Sequence, residues 1–253
     1  MDNNHSITRI KPDLSDRGFI FEPGLFGINM EVTRKGFFRG INAQMLNNRK
    51  LFAGTDGVIA CENVKNTYLH DTDEGLEFYK DELLAEVWEK VRICVDEWNF
   101  CWGSGSNNAL LISNALQLHF FGRNADKYHI REARFFMTVN EGMITVSATG
   151  SKVESSGKLF RFMAGHKGGN VVSCASDDSL DVLCTRHDGY YYVSAVNRSG
   201  APCSIEADGL EIYDCIEISV GEFSFFSNDY KISAKSDASV GAYGILFFRM
   251  KEK

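Results

Sequence analysis

Nine consecutive residues, Val91-Arg92-Ile93-Cys94-Val95-Asp96-Glu97-Trp98-Asn99, constrain the fold more than any others. Apolar side chains at 91, 93 and 95 recur with the period of a strand. The strand runs straight into two carboxylates, an indole and an amide. Polar groups at a strand's C-terminal tip are the pattern of α/β barrels, whose catalytic residues sit at that end. The same stretch sets a requirement: a carboxylate nucleophile needs a second carboxyl as proton donor and a sheet that holds both.

The flanks supply elements that could cover such a strand. Leu76 to Lys90 reads as an amphipathic helix, with apolar residues at 76, 79, 83, 84, 87 and 88 on one face. Asp73 and Glu74 just ahead suit the positive end of its dipole. After the strand, Gly103-Ser104-Gly105-Ser106 reads as a loop. A second helix is expected from about Asn107 to Phe121, with Ser106 as N-cap and Gly122 as the C′ glycine. It is apolar nearly all round, the mark of a buried helix. Strands are expected over 134–139 and 143–148, then a third helix from Ser155 or Ser156 through Ala164, ended by Gly165, Gly168 and Gly169. Upstream, 5–22 reads as two extended pieces around the polar turn Asp13–Arg17. Leu25 to Met30 is a short apolar segment delivering Glu31, Asn42 to Asn48 reads as helix, and 53–75 has a loop's composition.

Beyond Gly169 the pattern changes. Short apolar stretches at 171–174, 179–185, 190–196, 203–206, 210–218, 222–227, 230–233 and 243–250 are separated by turn residues. That spacing indicates an antiparallel sandwich, with the boundary near 168–171.

Composition narrows the function. A net charge of −7 argues against nucleic acid, which calls for a basic footprint, and favours a neutral or polar small substrate over a polyanion. No apolar run approaches the ~20 residues of a membrane span. The seven cysteines are odd in number, without Cys-x-x-Cys or zinc spacing. They read as reduced, mostly buried thiols of a cytoplasmic protein. The opening Met1-Asp2-Asn3-Asn4-His5 lacks the basic and apolar stretches of a secretory leader. In a cytoplasmic protein the sequon Asn197-Arg198-Ser199 carries no meaning.

Two blocks, in order, resemble one family. Phe26-Gly27-Ile28-Asn29-Met30-Glu31, followed by Gly40-Ile41-Asn42-Ala43-Gln44-Met45-Leu46-Asn47-Asn48-Arg49-Lys50, resembles the first barrel strand and helix of the family 51 α-L-arabinofuranosidases. Val95-Asp96-Glu97-Trp98-Asn99 resembles that family's strand seven, Val139-Asn140 its strand eight, and Ser155 to Val172 its last barrel helix and exit into a C-terminal sandwich. The match covers roughly 20–52 and 85–172. It implies an α+β chain: an incomplete (β/α)8-type barrel fragment followed by a C-terminal antiparallel β-sandwich. Residues 1–22 would be N-terminal strands pairing with the sandwich, 23–169 the partial barrel and 170–253 the sandwich.

The resemblance also implies roles. Glu97 falls at the catalytic nucleophile, Glu31 at a carboxylate that binds a sugar hydroxyl, and Trp98 and Asn99 beside them, shaping the site. The partner would be an arabinofuranosyl-containing carbohydrate, with no cofactor and no metal. Met137 stands where the family has a strand-eight glutamine. The family's acid/base lies in an Asn-Glu pair ending strand four, yet only 66 positions separate Glu31 from Glu97. A βαβ unit takes ~30 residues or more and a barrel ~250, so the interval holds about one extra unit, not strands two to six. Glu62, in Cys61-Glu62-Asn63, and Glu141, in Asn140-Glu141, sit in the wrong order or place for that acid. Asp71, Asp73 and Glu74 read as a solvated helix-capping cluster and His70 as a surface histidine.

Three readings stay open: an arabinofuranosidase-like retaining hydrolase lacking its acid/base residue; a non-catalytic, shortened remnant that associates with sugar or with other chains; and a carbohydrate-binding sandwich using Tyr190, Tyr191, Tyr192, Phe223, Phe225 and Phe226. An unclosed sheet leaves edges that association into a homo-oligomer would bury.

Overall fold

The computed structural model describes residues 6–21, 27–28, 70–99, 106–136, 138–139, 142–224 and 226–253. Among these residues the chain mixes helices with strands in several sheets, none of them closed. Glu31, Glu62, Asn140, Glu141, Met137, Phe225 and the helix expected at 42–48 lie outside the described residues.

The acidic strand forms as β4 (Ile93–Trp98). It belongs to a three-stranded parallel sheet with β3 (Gly27–Ile28) and β5 (Ile130–Phe135) in the order β3-β5-β4. Ahead of β4 the periodic segment is not one helix. It is α1 (His70–Phe78), a π-helical turn (Tyr79–Leu83) and a 3-10 turn (Ala85–Lys90), with a break at Leu84 where φ is −119°. The start is six residues earlier than the apolar pattern suggested. Asp73 is thereby drawn into the helix, and it is more than a solvated charge: it accepts a hydrogen bond from the Tyr128 hydroxyl and faces Lys127 Nζ at 3.5 Å.

After β4, α2 (Asn108–Asn124) is buried from Asn108 through Gly122, as its all-round apolarity required. Its N-cap is Asn107, whose side-chain oxygen accepts from the Leu110 amide at 2.8 Å. Ser106 instead lies 2.7 Å from the hydroxyl of Ser155. Gly122 does not end the helix. A Cβ there would sit 2.6 Å from the Phe21 ring and 3.3 Å from Leu183, so this glycine lets two elements close on α2. The hairpin of β6 (Ile144–Ser147) and β7 (Gly150–Val153) precedes α3 (Ser155–Met163), which runs into a 3-10 turn over Ala164–His166.

Two larger sheets complete the chain. One has four strands: β1 (Ser6–Pro12), β9 (Cys174–Ala175), β12 (Cys203–Ala207) and β15 (Ser239–Val240). The other has seven: β2 (Phe19–Ile20), β8 (Asn170–Val171), β10 (Leu180–His187), β11 (Tyr190–Asn197), β13 (Leu210–Ser219), β14 (Lys231–Lys235) and β16 (Ile245–Glu252). β1 runs parallel to β12 and β2 antiparallel to β8, which ties residues 6–20 to the C-terminal strands. Among the described residues of 222–227, where an apolar stretch suggested a strand, none is in a strand.

Alternation along β10, β11 and β16 gives the seven-stranded sheet two apolar faces. Val182, Cys184, Val193, Leu246 and Phe248 join Ile10, Cys203, Ile205 and Val240 of the four-stranded sheet in one core. Leu183, Val196, Ile245 and Phe247 face the other way and join α2, α3 and β5 in a second core.

Candidate functional site

Glu97 stands one residue from the end of β4, half-buried. The ladder around it is irregular. Val95 pairs with Ala133 and Trp98 with Phe135, so β4 takes three steps where β5 takes two, and the extra residue falls at Asp96-Glu97. A bulge of this kind re-aims side chains and is frequent beside active sites. It also turns Trp98 into the core. The indole is 2 % exposed, edge-on to Phe121 at 5.4 Å and Phe135 at 5.1 Å, and stacked on Phe160 at 5.9 Å. Its backbone carbonyl accepts from the Phe136 amide at 2.8 Å. Asn99 is fully buried. The structure thus brings Glu97, Trp98 and Asn99 together at one strand tip, with Trp98 as the anchor beneath it. The β3 strand that precedes Glu31 is parallel to β4 across β5.

A second polar cluster escaped the sequence reading. His119 of α2 places Nδ1 2.6 Å from Asp181 and Nε2 2.7 Å from the Ser194 hydroxyl. His166 places Nε2 2.9 Å from the same hydroxyl and Nδ1 2.9 Å from the Thr185 hydroxyl. Arg123 grips Asp181 with both terminal nitrogens, at 2.8 and 2.9 Å. Asp, His and Ser in line have the composition of a hydrolytic triad. Here Ser194 and His119 are wholly buried, and a second imidazole occupies the far side of the hydroxyl, so no substrate reaches it. The cluster fastens α2 and the turn after α3 to the sheet. Burial holds both imidazoles below their ordinary value, His166 at about 3. Burial also opposes the charge on Asp181, but Arg123 and the hydrogen bond from His119 prevail and hold its carboxyl well below the usual range. The available signal was the single histidine of a largely apolar helix; its partners lie some sixty and seventy-five positions on.

Asn197 of the sequon is fully buried, and its amide donates to the carbonyls of Ala201 and Gly241 at 2.8 and 2.9 Å, so it is closed to glycosylation. Among the described residues no group of three His, Cys, Asp or Glu is disposed to hold a metal ion. No helix among them is long and apolar enough to cross a membrane.

Over its matched part the chain has a glycoside-hydrolase-like fold. Superposition on the α-L-arabinofuranosidase of Thermotoga maritima, solved as an arabinose complex, gives a TM-score of 0.60 at 14 % identity, covering 72 % of this chain and 48 % of that one. The GH51 arabinofuranosidase of Xanthomonas axonopodis pv. citri gives 0.56 at 13 % identity, covering 92 % and 51 %. The family 51 α-L-arabinofuranosidase of Bifidobacterium longum gives 0.57 at 13 % identity, covering 72 % and 48 %. The chain therefore spans about half the length of these solved structures. No family model matches it, and no curated protein matches it in sequence.

Proposed function

We propose that this chain is an internally shortened homologue of the family 51 α-L-arabinofuranosidases, with Glu97 in the nucleophile's position and no acid/base residue. In this reading 23–169 is an incomplete (β/α)8-type barrel fragment, 170–253 the C-terminal β-sandwich, and 1–22 the strands that pair onto it. The observation that carries the reading is the sheet order. In a closed barrel the last strand lies between the first and the one before last, and here β5 lies between β3 and β4, with Glu97 in the bulge at the tip of β4.

The chemistry follows from two carboxyls. A retaining glycosidase attacks the anomeric carbon with one carboxylate while the other protonates the leaving oxygen, then uses water to release the sugar. Glu97 would attack, Glu31 would hold a sugar hydroxyl, and Trp98 and Asn99 would help shape the site. The protonating residue belongs to the strands with no counterpart between the two matched blocks. General acid catalysis contributes typically 10²–10⁴-fold, and the absent strands would also have oriented the sugar. The retained function is therefore association with arabinofuranosyl-containing carbohydrate, with hydrolysis absent or very slow. Assays of the wild type and Glu97→Ala on an aryl arabinofuranoside test this. Fast turnover lost in the variant would show that another carboxylate serves as acid; turnover untouched by the variant would place the chemistry elsewhere.

A further inference from the structure

The outer face of the seven-stranded sheet carries a second feature, remote in sequence from β4. The 3-10 turn on this face ends at His166, and Tyr190, Tyr192 and Tyr213 on the strands are half-buried. Register aligns Tyr192 of β11, Arg249 of β16 and Tyr213 of β13 in one row across the sheet. The neighbouring row brings Tyr190 beside them. His187 stacks flat on Tyr192, with centroids 4.0 Å apart and 6° between planes. The Arg249 guanidinium lies over the Tyr190 ring at 4.9 Å, and Tyr190 meets Tyr213 edge-on at 6.2 Å. Tyr191, between the two outward tyrosines, is 3 % exposed and belongs to the core between the sheets.

The backbone adds an irregularity at this spot. Tyr213 pairs with Arg249 and Ile216 with Phe247, so β13 bulges at Asp214-Cys215, and Asp214 has a φ of +54°. A non-glycine residue held in the left-handed region of a bulge is costly, and such strain gathers at ligand sites. Here it delivers the Asp214 carboxylate to Arg249, with which it forms an ion pair. Beside that pair a cleft of about 160 Å³ opens to solvent, walled by Phe162, Gly165, Tyr192 and Phe247.

We infer that this face is a second saccharide-binding site, taking one ring of an uncharged sugar chain. Tyr190 and Tyr213 are half-buried, so their rings are fixed before a ligand arrives and little rotamer freedom is lost on binding. Asp214 keeps 55 % of its side chain in solvent and Arg249 39 %. Together they offer an acceptor and a donor fixed side by side, suited to adjacent hydroxyls. Asp214 offsets Arg249, Glu211 stands opposite Lys251, whose Nζ lies 5.8 Å from the Tyr190 ring, and the chain carries −7 overall, so the cations of this face are matched by acids. The cleft is smaller than the ~300–1,000 Å³ of drug-sized pockets, which limits it to a single ring, with the rest of the chain lying across the tyrosines. The site shares the ligand class of the reading above and none of its residues.

Native electrophoresis through gels cast with soluble arabinoxylan, or with heparin, tests the inference. Wild type and Tyr190→Phe should be retarded by arabinoxylan and unaffected by heparin. Tyr190→Ala, Tyr213→Ala and Asp214→Asn should run at least tenfold less retarded, with unchanged thermal melting. The asparagine variant tolerates a positive φ, so it removes the charge without disturbing the bulge. Retardation abolished by Glu97→Gln but kept in Tyr190→Ala would overturn the inference, as would no retardation of the wild type. Retardation by heparin would make the face an anion site instead. A dimer that Tyr190→Ala dissociates would assign it to a second copy of the chain.

Discussion

His119 and His166 hold opposite sides of one hydroxyl, that of Ser194, at 2.7 and 2.9 Å. That sharing fixes the protons. Asp181 accepts only, so His119 donates from Nδ1 and must accept Ser194's proton at Nε2. Ser194 then accepts from His166 Nε2, and His166 Nδ1 accepts from Thr185. Both imidazoles are neutral and every donor runs one way, towards the carboxylate that Arg123 neutralises.

The first consequence is acid lability. A histidine held neutral in the fold but free to protonate when unfolded contributes stability that is present above its unfolded value near 6.5 and lost as pH falls towards the folded one. For His166 the window runs from about 6.5 down to about 3. His119 acts in the same direction, and His187 and Arg123 add positive potential around the pair. Asp181 adds a further loss below about 3.9. Between pH 7.5 and 5 His166 should cost about 2 kcal/mol of stability, with a loss from His119 in the same direction, read as a fall in the urea midpoint. A midpoint constant over that range would refute the neutral assignment.

Ser194→Ala removes the shared hydroxyl and leaves two buried imidazole nitrogens without partners. Each such group costs about 1–3 kcal/mol, so the variant should lose roughly 2–6 kcal/mol at pH 7. A loss below about 0.5 kcal/mol in denaturant titration would mean the cluster does not hold α2 to the sheet.

Two glycine substitutions should have opposite signs. Gly122→Ala gains helix propensity but drives a methyl into Phe21 and Leu183, and overpacking of this kind costs about 1–3 kcal/mol. Gly75→Ala in α1 meets nothing within 4 Å and should stabilise by roughly 0.5–1 kcal/mol. Thermal melting of the pair tests both the packing of α2 and the helical register of α1.

Trp98→Ala should be among the most destabilising single changes, at about 3–5 kcal/mol. The indole touches β5, α2 and α3 through Phe135, Phe121 and Phe160. If the indole served a ligand rather than the core, melting would hardly move.

Much of the fold was legible because local patterns agreed with it. The burial of α2, β4, and most strands from Leu180 onward, β15 excepted, follow from apolar periodicity and turn residues alone, although the apolar stretch at 222–227 suggested a strand that its described residues lack. Asn107 took the cap from Ser106 because tertiary contact engages the serine with Ser155. Gly122 looked like a helix stop because its true reason, the approach of Phe21 from a hundred residues away, leaves no local trace. The bulge at Asp96-Glu97 was invisible for the same reason: register belongs to a pair of strands. Of the site, Glu97, Trp98 and Asn99 could be read from the strand tip, but the inward turn of Trp98 could not. The Asp181–His119–Ser194–His166 chain needs four residues from four elements, and no spacing rule links them.

The most direct test of the central claim is steady-state turnover of an activated aryl α-L-arabinofuranoside by the wild-type chain alone. Such a leaving group departs with little help from an acid, so it gives Glu97 its best chance to act without a proton donor. The account predicts turnover that is absent or very slow, because the strands that would orient the sugar and the base that would activate the water are missing too. Robust turnover that vanishes in Glu97→Ala would contradict it.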